Sequence, residues 1–124
     1  MKKFVKILFC LTVFFLLTTG AALADKAAVA IIAPETADKG TEVTIKLNVM
    51  HHGNNMFHHI KWVYIKINGK EIARWDFSAT KTPESEYFTK EVKFTVNEPA
   101  QIEAEAYCNI HGSAGITKAA ISMK

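Results

Sequence analysis

The chain has 124 residues, enough for one domain, and carries fifteen lysines and arginines against twelve aspartates and glutamates. Lys2, Lys3 and Lys6 account for the whole excess, so the rest of the chain is close to neutral. It has no basic stripe, which argues against nucleic acid as a partner.

The first 24 residues read as a segment apart. A short basic stretch, Met1 to Lys6, precedes an almost unbroken apolar run from Ile7 to Leu17, and Ala22-Leu23-Ala24 supplies the small-x-small pattern of a cleavage point. The run is shorter than the ~20 residues a membrane span needs. Residues 1–24 are therefore expected to be a cleavable signal peptide, and residues 25–124 a domain that is periplasmic or secreted. Cys10 lies inside the apolar run, away from where a lipidated cysteine would stand. That leaves Cys108 as the one cysteine of the domain. A lone cysteine forms no intrachain disulfide, so it is a buried thiol, a reactive thiol, an intermolecular bridge or a metal ligand.

Beyond residue 24 the pattern is β throughout. Ala28 to Ile32, closed by Ala33-Pro34, reads as a first strand. Thr41 to Val49 alternates at period two, with Val43, Ile45, Leu47 and Val49 on one face. Ile60 to Ile67 and Lys70 to Trp75 are strands joined by Asn68-Gly69, a strong hairpin signal. Glu91 to Val96 alternates again, Asn97 to Ala100 is a turn, and Gln101 to Tyr107 turns Ile102, Ala104 and Ala106 inward with Cys108 in the same parity. Ile116 to Met123 reads as the last strand. About seven short strands without a helix predict an all-β, immunoglobulin-like sandwich. Trp62 and Trp75 read as core or rim residues, with Trp62 also placed to shield the histidine loop.

The chemistry-bearing residues fall in two groups. His51, His52, His58 and His59 flank one loop, and His111 follows Cys108 by three positions. Thiolate and imidazole suit iron, zinc and copper. A Cys-x-x-His pair at a strand end can turn both side chains to one ion, and His52 and His58 at either end of the Gly53-Asn54-Asn55 segment could converge on it. The bland alternatives are solvated surface histidines and a cysteine buried as a small apolar side chain.

The stretch from His52 to Trp62 resembles the superoxide reductase pattern His-Pro-Met-x-x-x-His-Tyr-Ile-x-Trp. Cys108-Asn109-Ile110-His111-Gly112 is similar to that family's Cys-Asn-x-His-Gly. Asp25 to Pro34 is similar to its opening, Glu-Lys-His-Val-Pro-Val-Ile-Glu-Ala-Pro. No four-cysteine segment precedes these motifs, so the resemblance is to the one-iron form, neelaredoxin, of the desulfoferrodoxin family. The resemblance implies an immunoglobulin-like fold and a mononuclear, non-haem iron that reduces superoxide to hydrogen peroxide. It implies Cys108 as axial thiolate and His52, His58 and His111 as equatorial ligands. It also implies Lys26 as the cation that draws in the anion, and Asp25 in the place of a glutamate that closes the open position. It further implies a small electron-donor protein, rubredoxin-like or a cytochrome, as partner; a second copy of the chain is another candidate.

The chain departs from the family at Ala27, where the first histidine of the pattern belongs. His59 stands in place of the tyrosine, and no proline follows His52. The equatorial set is thus one imidazole short, with His51, His59 or water left to complete it. Four rival readings follow. The first is the enzyme. The second is a non-catalytic zinc module, since three histidines and a cysteine make a closed tetrahedral set. The third is a copper electron carrier, weakened by the absence of a methionine soon after His111. The fourth is a sandwich that acts only by binding a partner protein.

Overall fold

The computed structural model describes residues 26–124. The expected signal peptide and Asp25 lie outside the described residues. Eight strands follow in order: β1 (Ala28–Ile32), β2 (Thr36–Ala37), β3 (Thr41–Met50), β4 (Ile60–Ile67), β5 (Lys70–Asp76), β6 (Tyr87–Val96), β7 (Ala100–Cys108) and β8 (Thr117–Met123). No helix occurs among the described residues. The expected all-β class is what the chain adopts. Two differences from the expectation stand out. The two-residue β2 carries too little periodicity to be seen in sequence; it pairs in parallel with β8. Strand β6 begins at Tyr87 rather than Glu91, because β3 offers partners along its whole length, up to Met50 opposite Tyr87.

The strands form two sheets, one in the order β1-β3-β6 and the other β2-β8-β7-β4-β5. Alternation turns Val43, Ile45, Leu47 and Val49 of β3 inward against Val63, Ile65, Ile102, Ala104 and Ala106 of the facing sheet, all buried. Burial of these apolar faces is the main source of stability, at roughly 25 cal/mol for each Å² removed from water. The β4–β5 hairpin turns on Asn68 and Gly69, both at positive φ (50° and 80°), the conformation that a two-residue primed turn requires.

Two irregularities shape one end of the sandwich. The β4–β7 register slips between Ile60 and Trp62, so that Ile60 faces Cys108 while Trp62 faces Tyr107. Such a bulge re-aims the side chains beside it. Strand β7 then ends in a tight turn. Cys108 N–H donates to Gly112 O (2.9 Å) and Gly112 N–H donates to Cys108 O (3.0 Å). Gly112 closes it at φ 76°, a conformation that suits glycine.

Candidate metal centre

The site is built where β3 ends, β4 begins and β7 turns. Continuing the parity of β3 one step past the strand carries the inward face from Val49 to His51, which is 2% exposed. His52 then points outward. Its ring stands 3.6 Å from the Glu86 carboxylate, with three quarters of the side chain in solvent. His51, not His52, is therefore the imidazole that enters the cluster. The structure thus brings His51 to the cluster in place of the nominated His52, and the physical reason is the two-residue period of β3. That period is already visible in Val43, Ile45, Leu47 and Val49, whereas the motif spacing counted from His58 points to His52.

His51, His58 and Cys108 each bring one ligand-type atom to within 4.8 Å of the others. His111 Nδ1 lies 3.1 Å from His58 Nε2 and 3.9 Å from Cys108 Sγ. The His58 ring meets those of His51 and His111 edge-on, with centroids 4.7 and 4.9 Å apart. The cluster grades from interior to surface: His51 and Cys108 are buried, His58 is half-buried and His111 is exposed. Three of the four ligands nominated from sequence thus come together, joined by His51.

Local hydrogen bonds hold each member. His51 Nδ1–H donates to Asn54 Oδ1 at 2.8 Å. The same oxygen accepts the Ile60 N–H (3.1 Å), and the Asn54 amide nitrogen donates to Ser85 O (2.9 Å). That pattern fixes which way the amide faces and which His51 nitrogen carries the proton. His51 N–H and Gly53 N–H donate to the backbone oxygen and the carboxylate of Glu86 (both 2.9 Å), pinning the loop to the start of β6. Asn109 clasps the two ligand-bearing loops together. Its N–H donates to His59 O, its Oδ1 accepts the His59 N–H (both 3.0 Å), and its Nδ2 donates to Phe57 O (3.1 Å). His111 N–H donates to Cys108 Sγ at 3.4 Å.

His59, also buried, turns away from the cluster, with its Nδ1 3.1 Å from Asn55 O. Ala27 is fully buried, and its N–H donates to Gly112 O at 3.3 Å. The backbone at the position of the missing histidine therefore does run beside the cysteine turn. Lys26, half-buried, precedes it on the same segment.

Among the described residues, His51 Nε2 is the buried side-chain nitrogen or oxygen left without a hydrogen-bond partner. An orphaned polar atom in a core costs roughly 1–3 kcal/mol, so it calls for a partner from outside the chain. Burial first, and the neighbouring His58, His111 and His59 after it, lower the His51 pKa from 6.5; the Asn54 hydrogen bond opposes them. The ring is thus held neutral with a lone pair on Nε2, the form that binds metals. Two nitrogens each about 2.1 Å from one ion and at right angles would stand about 3.0 Å apart, close to the 3.1 Å between His58 and His111. The donor set, the tautomer and the His58–His111 spacing fit one transition-metal ion.

The family model described as desulfoferrodoxin matches residues 20–114. The desulfoferrodoxin homolog of Methanothermobacter thermautotrophicus is 30% identical over 79 residues, which is 64% of this chain. The match spans 57% of that relative's own length. The superoxide reductase (neelaredoxin) from Ignicoccus hospitalis has a similar fold, with a TM-score of 0.63 at 21% identity over 78% of this chain and 80% of that one. So does the superoxide reductase (neelaredoxin) from Archaeoglobus fulgidus in its reduced form, with a TM-score of 0.58 at 22% identity over 81% and 93%. At those identities the two likenesses establish the fold alone.

Proposed function

Since the chain belongs to the desulfoferrodoxin family, we propose that it reduces superoxide to hydrogen peroxide at one iron held by His51, His58, His111 and Cys108. The observation that carries this reading is the convergence of His51, His58 and Cys108 within 4.8 Å, with the lone pair of His51 Nε2 unsatisfied. Bound iron would supply the electron that superoxide takes up.

The chain's own residues would do the rest. Cys108, held by the His111 N–H, would place thiolate charge on the metal and tune its potential. Asn54 would keep the His51 proton on Nδ1, out of the reaction. The exposed edge at His111 would admit a small anion and the two protons that peroxide formation consumes. Lys26, just ahead of Ala27, would attract that anion and stabilise charge developing on it. Each turnover consumes one electron, so a one-electron donor protein is required. Phe57 and Ile110, which are 78% and 59% exposed next to His58 and His111, would border its approach. Residues 1–24 we take as an export signal, which would place the activity outside the cytoplasm.

A closed zinc site is the second reading, favoured by a set of one thiolate and three imidazoles in place of four. The test is superoxide decay in the presence of iron-loaded protein and a chemical reductant. The proposal expects superoxide to disappear with one peroxide formed per superoxide and no dioxygen released. Dioxygen release at half the superoxide consumed, or no acceleration by a colourless, zinc-bearing protein, would overturn it.

A further inference from the structure

The outer face of the larger sheet carries a row of oxidisable rings that ends at the cysteine turn. Tyr107 is one residue before Cys108, on the opposite face of β7. A Cβ on Gly112 would lie 3.6 Å from the Tyr107 ring, so that ring packs on the turn itself. Trp62 stacks on Tyr107 with centroids 5.1 Å apart and planes 13° from parallel. Tyr64 stacks on Trp62 at 5.4 Å and 25°. The row ends at a proton acceptor, for the Tyr64 hydroxyl donates to Glu105 Oε2 at 3.4 Å.

We propose that Tyr107, Trp62 and Tyr64 carry an oxidising equivalent away from the metal centre and leave it on Tyr64, whose phenol proton passes to Glu105. The proposal rests on the iron reading above, because the product peroxide is the oxidant it concerns. Peroxide meeting the reduced centre would take two electrons as its O–O bond breaks, one that bound iron would supply and one from the aromatic row. Two hydroxides would form, Tyr64 would become a neutral phenoxyl radical and Glu105 would gain its proton. A small thiol then returns a hydrogen atom to Tyr64 and becomes a thiyl radical. Without the row, the second electron would come from the nearest soft donor, Cys108, starting it up the oxidation ladder.

The Arg74 guanidinium lies 5.0 Å over the Trp62 ring and the Lys66 ammonium 5.1 Å over the Tyr64 ring, so positive charge is disfavoured on both rings and the equivalent rests where a proton can leave. Burial, followed by Glu105, raises the Tyr64 pKa. The phenol is therefore protonated, and its oxidation needs the base that Glu105 provides. Packing alone accounts for the stack, but gives no reason for a carboxylate at its buried end.

Two measurements test the proposal. In metal-free protein carrying Tyr87→Phe, to remove the most exposed tyrosine, azide radicals from pulse radiolysis oxidise tryptophan first. The tryptophan radical should decay as a tyrosyl radical grows, at a rate independent of protein concentration. Tyr64→Phe should abolish that growth and Glu105→Gln should slow it. In ferrous-loaded protein given one equivalent of peroxide, freeze-quenched spectra should show a tyrosyl radical. Trp62→Phe, which keeps a ring in the stack, should lose that radical and increase sulfinic and sulfonic acid at Cys108. No intramolecular transfer, or Cys108 oxidation unchanged by Trp62→Phe, overturns the relay. Transfer in a metal-free protein that then takes up no iron supports the relay and overturns the iron reading instead.

Discussion

His51 Nδ1 stands 2.8 Å from Asn54 Oδ1, and this one hydrogen bond decides what the buried ring can do. A carbonyl oxygen only accepts, so the proton sits on Nδ1 and the opposite nitrogen is left with its lone pair. That nitrogen is buried and unpartnered. Asn54 would thereby orient a ligand it does not itself join, in the way outer hydrogen bonds tune metal sites.

Removing that orientation should weaken the site without removing a ligand. Asn54→Ala is expected to lower iron affinity by about 10–100-fold. Competition against a calibrated chelator measures it, and an unchanged affinity would mean that the hydrogen bond is incidental.

The neighbouring histidines give a sharper contrast. His51→Ala should abolish stoichiometric iron binding, whereas His52→Ala should leave it intact, since His52 faces Glu86 in solvent. Metal analysis after anaerobic loading separates them. The reverse pattern would restore the motif-based assignment.

Acid should destabilise the metal-free protein through His51. Its pKa is lowered by burial from 6.5 in the folded state. The unfolded chain therefore binds more protons once pH drops, and stability rises with pH across this window. The His51 contribution is complete above about pH 6.5 and is lost as pH falls from there toward the folded value. Urea unfolding between neutral and mildly acidic pH should show this loss, and His51→Leu should reduce the slope. An equal slope in both proteins would place the effect on other groups.

Ala27 offers a gain of function. Ala27→His would restore the family's first histidine beside the cysteine turn, but the position is fully buried. Overpacking should cost the metal-free protein about 1–3 kcal/mol, seen as a lower melting temperature. Iron affinity or superoxide turnover should rise. No change in either would show that this backbone is too far from the ion to supply a ligand.

Much of this architecture was legible in the chain. Alternation in Thr41–Val49 and Gln101–Tyr107, and Asn68-Gly69 between two apolar runs, gave strands, faces and hairpin because period two is a local property. Cys108 was read as inward-facing for the same reason. His52 and His51 are not told apart by the motif, because a spacing fixes residues relative to one another and not their phase on a strand. The roles of Asn54 and Asn109 are not visible in the chain, because loop amides become meaningful only when folding brings distant backbone groups to them, as Asn109 meets His59 and Phe57. The slip between Ile60 and Trp62, which sets Trp62 opposite Tyr107, leaves no mark in composition.

The most direct measurement is anomalous diffraction at the iron edge from crystals of iron-loaded protein. A single strong peak within bonding distance of His51 Nε2, His58, His111 and Cys108 Sγ is the expected result. A peak beside His52 and Glu86, or none near Cys108, would contradict it.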